Sequence, residues 1–356
     1  MEGAEELAAG RDRQLAERVL EVVLHGVLAD EELARDLGVA QAAQDAGNDL
    51  GLAVGRDLLS RLIYGSRYSL FIGFFVVIGA MVVTGKTPQR LIGMLKVSKP
   101  MLPLFVIPTT AGTGSEVTVA AVVTDPVAHV KAAVIDPKLV PAAAALDPLL
   151  TTGMPKSITA ATGMDALTHA VEAYTNRWPH AETAFHAVSA VRMIFANLPR
   201  ACANGEDVEA REAMLLASFY AGLAFTKAYV GYVHAFSHKV GGMYGVPHGL
   251  GNAILLPYVL DFLKDAPLAE QRLAELAIAI GAGKEGEPQA VLAKRFVERV
   301  RELNRTVGIP EKLEALKAAD VPEVARAAMI EAHRDYPVPK NMAPAEAEAL
   351  LRRCLA

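Results

Sequence analysis

Two segments of the chain place a carboxylate and several imidazoles at spacings that can close a metal site. Asp165 and His169 stand in GMDALTHAVEAY, and His234, His238 and His248 follow in HAFSHKVGGMYGVPHG. Positions four apart on an α-helix lie roughly 40° from each other around the axis, so Asp165 and His169 project from one face on successive turns. His234 and His238 repeat that spacing. Gly241, Gly242 and Gly245 then allow the chain to turn, so that His248 can return to the same pocket. One carboxylate with three neutral imidazoles suits a borderline divalent ion such as Fe2+ or Zn2+, and leaves it a net charge of about +1. An ion held this way can polarise a carbonyl bound at an open coordination position. The plainer alternative is a set of core or helix-terminal histidines, because HxxxH pairs also arise by chance. Burying four such groups unpaired is costly, which weighs against it.

A second motif, Thr109 to Ser115 (TTAGTGS), follows the apolar run LPLFVIP. Its backbone N–H groups and hydroxyls can cradle a pyrophosphate, most effectively where a helix starts at the loop's end. It is neither a GxGxxG nor a Walker sequence, and a Thr/Gly-rich strand-end turn can equally be structural.

The elements that must carry these residues change character along the chain. LPLFVIP, AAVVTD, KAAVIDP and AAAALDP are short, partly β-branched and apolar on both faces, the pattern of strands covered on both sides in an α/β layer. After Asp147-Pro148 helical periodicity takes over, with helices expected from Pro155 to Tyr174, Ala181 to Ala203, Val208 to Lys227 and around Tyr229 to Tyr244. The boundary falls near residue 149, and the cleft between two such parts is the favoured place for a ligand.

Composition narrows the class. The 356 residues are 52% hydrophobic and 21% charged with a formal net charge of -5, which describes a globular protein without a basic face for nucleic acid. The two cysteines, Cys202 and Cys354, form no CxxC pair, so thiolate zinc and a disulfide framework are both unsupported and a reducing cytoplasm is expected. The start MEGAEELAAGRDRQ lacks the basic and apolar regions of a signal peptide. The uncharged run from Leu70 to Val83 is shorter than the ~18 residues of a membrane span, and fits a core strand or helix better than an anchor.

Taken together, PTTAGTGSEVT, ATGMDALTHAVEAY and HAFSHKVGGMYGVPHGLGNAILLPYV resemble the iron-containing alcohol dehydrogenases, as does the tail YPVPKNM. The likeness runs from about Ile78 to the C-terminus. It implies an α/β dinucleotide-binding domain over residues 1–149 and an all-helical metal and substrate domain over 150–356. It implies that Asp165, His169, His234 and His248 hold Fe2+ or Zn2+, and that His238 lies beside the nicotinamide as a proton relay. Thr109, Thr110, Thr113, Thr118 and Lys131 would contact NAD or NADP. Phe225, Tyr229, Tyr232 and Phe236 are candidates for lining the substrate pocket or for core. The implied substrate is a small alcohol or aldehyde, and the implied assembly a homo-oligomer.

The chain also departs from that pattern. Where the family carries a GGGSxxDxAK loop, this chain has YGSRYSLFIGFFVV, and Arg67 and Tyr68 would crowd a phosphate. Residues 1–77 are therefore atypical, and the alternative to an active dehydrogenase is a metal-binding homologue with impaired dinucleotide binding. A metal lyase or hydrolase is disfavoured by the lack of a spare carboxylate beside these motifs.

Overall fold

The computed structural model describes residues 80–356, apart from 82, 102, 126–129 and 179. Most of the Leu70–Val83 run, with Gly65, Ser66, Arg67 and Tyr68, lies outside the described residues. Ser69–Ala356 forms one compact unit, and the change from strands to helices falls inside it.

Among the described residues the strand-bearing part is small. Strands β1 (Gly93–Met94), β3 (Ala120–Asp125) and β4 (Val130–Ile135) form one sheet in the order β1-β4-β3, and β2 (Phe105–Val106) pairs with β5 (Ala143–Ala144). β1 runs parallel to β4 and β2 parallel to β5, whereas β3 and β4 are antiparallel with Ala121 opposite Val134. The antiparallel pair follows from chain length: only residues 126–129 separate the two strands, too few for the crossover that parallel neighbours need. Ala121 and Val134 pack with Leu91, Val97 and Leu139 in a core of their own. Fully buried Asp136 pins its edge, accepting the N–H of Val97 and of Lys138, each at 3.1 Å.

The expectation of strands covered on both faces needs correction at β2. Phe105 is 70% exposed and Ile107 46% exposed, so that run presents an open apolar side among the described residues. Only two of its residues pair, and a pair that short covers little.

From Lys156 onward the described chain is helical: α1 (Lys156–Thr175), α2 (Ala181–Ala203), α3 (Val208–Ala228), α4 (Tyr232–Tyr244), α5 (His248–Leu263), α6 (Pro267–Ala279), α7 (Gln289–Val307), α8 (Val321–Asp335) and α9 (Pro344–Arg353). The boundaries have local causes. Asp207 caps α3 by accepting the N–H of Ala210 at 3.0 Å, and Gly245 ends α4 in the left-handed conformation at φ 68. α1 is buried on every side from Gly163 to Thr175, which makes it the central helix. α7 shows the opposite pattern, with Leu292, Phe296, Val300, Leu303 and Val307 buried on one stripe and charges on the other. No single helix among the described residues is long and apolar enough to cross a membrane.

Candidate metal centre

Three helices meet where the chemistry-bearing residues lie. α5 approaches α1 closely because Gly249 carries no side chain: a Cβ there would stand 2.3 Å from the Ala161 carbonyl oxygen and 3.3 Å from Asp165 Cβ. That contact sets His248, the first residue of α5, against the middle of α1. His248 thus sits at a helix start rather than on the turn that the glycine-rich spacing suggests. Gly245 supplies the turn and Pro247 the extended residue before the new helix.

One donor atom from each of Asp165, His169, His234 and His248 lies within 4.8 Å of the others. Asp165 Oδ1 is 3.8 Å from His234 Nε2 and 3.6 Å from His248 Nε2. Asp165, His169 and His234 are buried, while the His248 side chain keeps 30% of its surface open. The His169 ring stacks between Phe225, at 4.3 Å, and His234, at 4.6 Å. Its Nδ1 is buried with no hydrogen-bond partner, a cost that a bound cation or its ligand would relieve.

The electrostatics favour neutral imidazole. Burial, then the neighbouring His169 and His238, hold His234 well below its ordinary value. His234 Nδ1 donates to Glu172 Oε2 at 2.6 Å, which leaves the Nε2 lone pair facing Asp165 and His248. Glu172 also accepts the N–H of Gly231 at 2.8 Å and of Val233 at 2.7 Å, so it fixes the first turn of α4 as well. Burial pushes its carboxyl up to about 7, against the pull of those backbone donors. One turn further along α1, Asn176 Nδ2 bonds the carbonyls of Ala228 at 2.9 Å and Val230 at 3.0 Å. It thereby restrains the turn where Tyr229 takes a positive φ of 63.

His238 stands outside the four. Its ring stacks on His248 with centroids 5.3 Å apart and planes 14° apart, and its Nδ1 is 2.6 Å from Glu331 Oε1 on α8. Lys239 Nζ lies 2.7 Å from Glu331 Oε2, and the Tyr336 hydroxyl donates to Oε1 at 2.7 Å. Burial opposes ionisation of Glu331, but His238 and Lys239 outweigh it and hold the carboxyl down at about 2. The expectation of no spare carboxylate is therefore wrong. Glu172 lies seven residues, two helical turns, after Asp165 and was legible in HAVEAY. Glu331 is 93 positions from His238, and only the fold brings them together.

The Thr109–Ser115 loop is packed rather than open. A Cβ on Gly112 would stand 2.5 Å from the Thr162 carbonyl of α1, and one on Gly114, at φ +59, 2.7 Å from Gly222 Cα of α3. Gly114 N–H donates to Ser218 Oγ at 3.3 Å and Ser115 N–H to Thr113 Oγ1 at 3.3 Å. No helix begins at the loop's end. The chain passes through a turn into β3, so the loop lacks the dipole that a following helix would add. Thr109, Thr110 and Thr113 are half-buried, whereas Thr118 is buried and accepts the N–H of Ala120 at 3.2 Å. Lys131 is placed by its backbone alone, opposite Thr124 in the β3–β4 ladder. Of the aromatic candidates, Tyr232 and Phe236 are core at 1% and 0% exposure, Phe225 faces His169, and Tyr229 meets Trp178 edge-on.

Comparison with known proteins identifies the family. Residues 159–355 match the Fe-containing alcohol dehydrogenase family, C-terminal, and residues 77–148 match iron-containing alcohol dehydrogenase. Alcohol dehydrogenase 4 of Schizosaccharomyces pombe is 48% identical over 53% of this chain and 45% of its own. The 1,3-propanediol dehydrogenase of Citrobacter freundii is 40% identical over 67% of this chain and 61% of its own, so the chain spans less than two thirds of either relative. The solved structure of a 1,3-propanediol oxidoreductase superposes with a TM-score of 0.76 at 35% identity, over 80% of this chain and 74% of that one. The matched residues contain all four clustered donors and the Thr/Gly loop. The chain belongs to the iron-containing alcohol dehydrogenase family.

Proposed function

We propose that this protein is a metal-dependent, NAD(P)-linked alcohol dehydrogenase or aldehyde reductase acting on a small alcohol or aldehyde. The observation that carries the reading is the convergence of one carboxylate and three imidazoles within 4.8 Å, with His169 Nδ1 buried and unsatisfied beside them. Asp165, His169, His234 and His248 would hold the ion, Fe2+ or Zn2+, both of which accept this donor set. The ion supplies Lewis acidity to the substrate oxygen.

The chain's own groups do the rest. Glu172 keeps His234 in the tautomer whose Nε2 has its lone pair free for a cation. His238, with Nδ1 engaged by Glu331, keeps Nε2 as the atom that takes the hydroxyl proton in oxidation and returns it in reduction. Phe225, stacked on His169, gives that side of the centre an apolar wall. Thr109, Thr110 and Thr113 would meet the phosphates or ribose of NAD or NADP with their hydroxyls, assisted by Lys131, while Thr118 would act by shaping the loop. The cytoplasm as site of action and a homo-oligomeric assembly belong to the same proposal.

The test is NADH and NADPH oxidation by short aldehydes with protein purified without chelator, alongside nicotinamide fluorescence titration and metal analysis. Turnover with one divalent ion per chain is expected. A bound ion with no response to either nucleotide would make the chain the metal-binding homologue that its altered segment before Ile78 also allows, and no bound ion would overturn the reading.

A further inference from the structure

Asn252 sits deeper in the metal centre than a neighbouring residue needs to. It is fully buried on α5, four residues after His248, and its Nδ2 lies 2.6 Å from Asp165 Oδ1, 3.1 Å from His234 Nε2 and 3.1 Å from His248 Nε2. One amide nitrogen therefore contacts three of the four donor atoms at once. Its partner atom, Oδ1, is buried and has no hydrogen-bond partner.

The two facts together set a conflict. Asp165 Oδ1, His234 Nε2 and His248 Nε2 are the atoms that would hold a divalent ion, each through a lone pair. An NH2 group within hydrogen-bond distance of all three turns the positive ends of its N–H dipoles on those same lone pairs. Each imidazole Nε2 has a single lone pair and cannot serve both. Half a turn about the Cβ–Cγ bond exchanges Nδ2 for Oδ1 with little change of shape, and presents a carboxamide lone pair, a weaker donor to Fe2+ or Zn2+ than imidazole or carboxylate, in place of N–H groups.

We propose that Asn252 is a two-position member of the metal centre. Its NH2 side shares two N–H donors among Asp165, His234 and His248 when no cation is present, and its Oδ1 turns to face the cation when one binds. The NH2 position keeps one anion and two lone pairs convergent without a proton between them, and the Oδ1 position adds an oxygen donor to the set. This rests on the metal reading above and adds a fifth participant to it.

The experiment is competition for Zn2+ against a chromophoric chelator, with wild-type protein, Asn252→Leu and Asn252→Asp, each first checked for native helicity by circular dichroism. Leu keeps the branched skeleton, with more bulk, and removes both amide atoms, whereas Asp keeps an oxygen facing the ion. The expected result is a Zn2+ affinity lowered tenfold or more in Asn252→Leu and retained or raised in Asn252→Asp. Equal affinity in Asn252→Leu and wild type overturns the proposal, as does an equal loss in both variants. If Asn252→Leu fails to fold, wild-type protein labelled with 15N at asparagine side chains decides. The Asn252 NH2 resonances shift on Zn2+ loading if the group turns over, and an unchanged signal overturns the idea. Wild-type protein that binds no Zn2+, Co2+ or Fe2+ would fail the metal reading itself, a result distinct from these.

Discussion

Glu172 Oε2 lies 2.6 Å from His234 Nδ1 while the same carboxylate accepts the backbone N–H groups of Gly231 and Val233 at the start of α4. One acid on α1 thus selects a ring tautomer on α4 and fixes where that helix begins. Replacing it by Gln keeps the length but offers one acceptor oxygen in place of two, and it frees the ring to hold its proton on Nε2. Metal affinity of Glu172→Gln should fall roughly 10- to 100-fold, read by chelator competition. Unchanged affinity would show that the ring needs no such partner.

Gly249 sets the distance between His248 and Asp165. A methyl group there would press on a backbone carbonyl of α1 at 2.3 Å, which has no rotamer to yield with, so α5 must move outward. Gly249→Ala is expected to cost about 1 to 3 kcal/mol in urea denaturation and to weaken ion binding as well. Loss of stability with intact affinity would mean that the centre moves as one piece with α5.

Both carboxylate oxygens of Glu116 are buried without a partner, and burial pushes its carboxyl from the ordinary 4.5 up to about 7. Between those values the folded chain keeps a proton that the unfolded chain has lost, so the group lowers stability as pH rises from 4.5 to 7. Glu116→Gln removes that dependence. Relative to wild type, the variant should gain up to about 3 kcal/mol between pH 4.5 and 8. Paired melts at the two pH values measure it, and a constant difference would show that Glu116 ionises normally.

The opposite sign holds at Glu331, whose carboxyl is held down from 4.5 to about 2. Its contribution is present above pH 4.5 and is lost as pH falls through 2. Glu331→Gln should therefore be less stable than wild type at pH 7, by at most about 3 kcal/mol, with the gap closing in acid. Denaturant titration at pH 7 and pH 3 checks the direction.

Removing the ion should lower the melting temperature. A ligand present at 1,000 times its dissociation constant stabilises by about 4 kcal/mol. Dialysis against chelator followed by Zn2+ addition should lower and then restore the midpoint, and His248→Ala should show neither change.

The helical half was readable because its periodicity is strong. Asp165 and His169 fall four apart on a helix expected from Pro155 to Tyr174 and found at Lys156–Thr175, and the next helix is found where it is expected, at Ala181–Ala203. Glu172 shares the period of Asp165 and could have been read with it. Asn252, four residues after His248, shares that period but as an amide does not stand out as a ligand, and Glu331 had no cue, because a contact across 93 positions has no local signature. The strand half was harder. Runs such as AAVVTD show β-branched character but neither partner nor direction, and the brief separation of β3 and β4 was the only cue to their antiparallel pairing.

All four donors, together with Glu172 and Asn252, come from α1, α4 and α5, with α5 packed on both of the others. None of these side chains comes from the sequence before Ala80. A lineage can remodel, or give up, its hydride carrier and still inherit a working cation trap, which makes this helical half raw material for chemistries that need an electrophile but no nicotinamide.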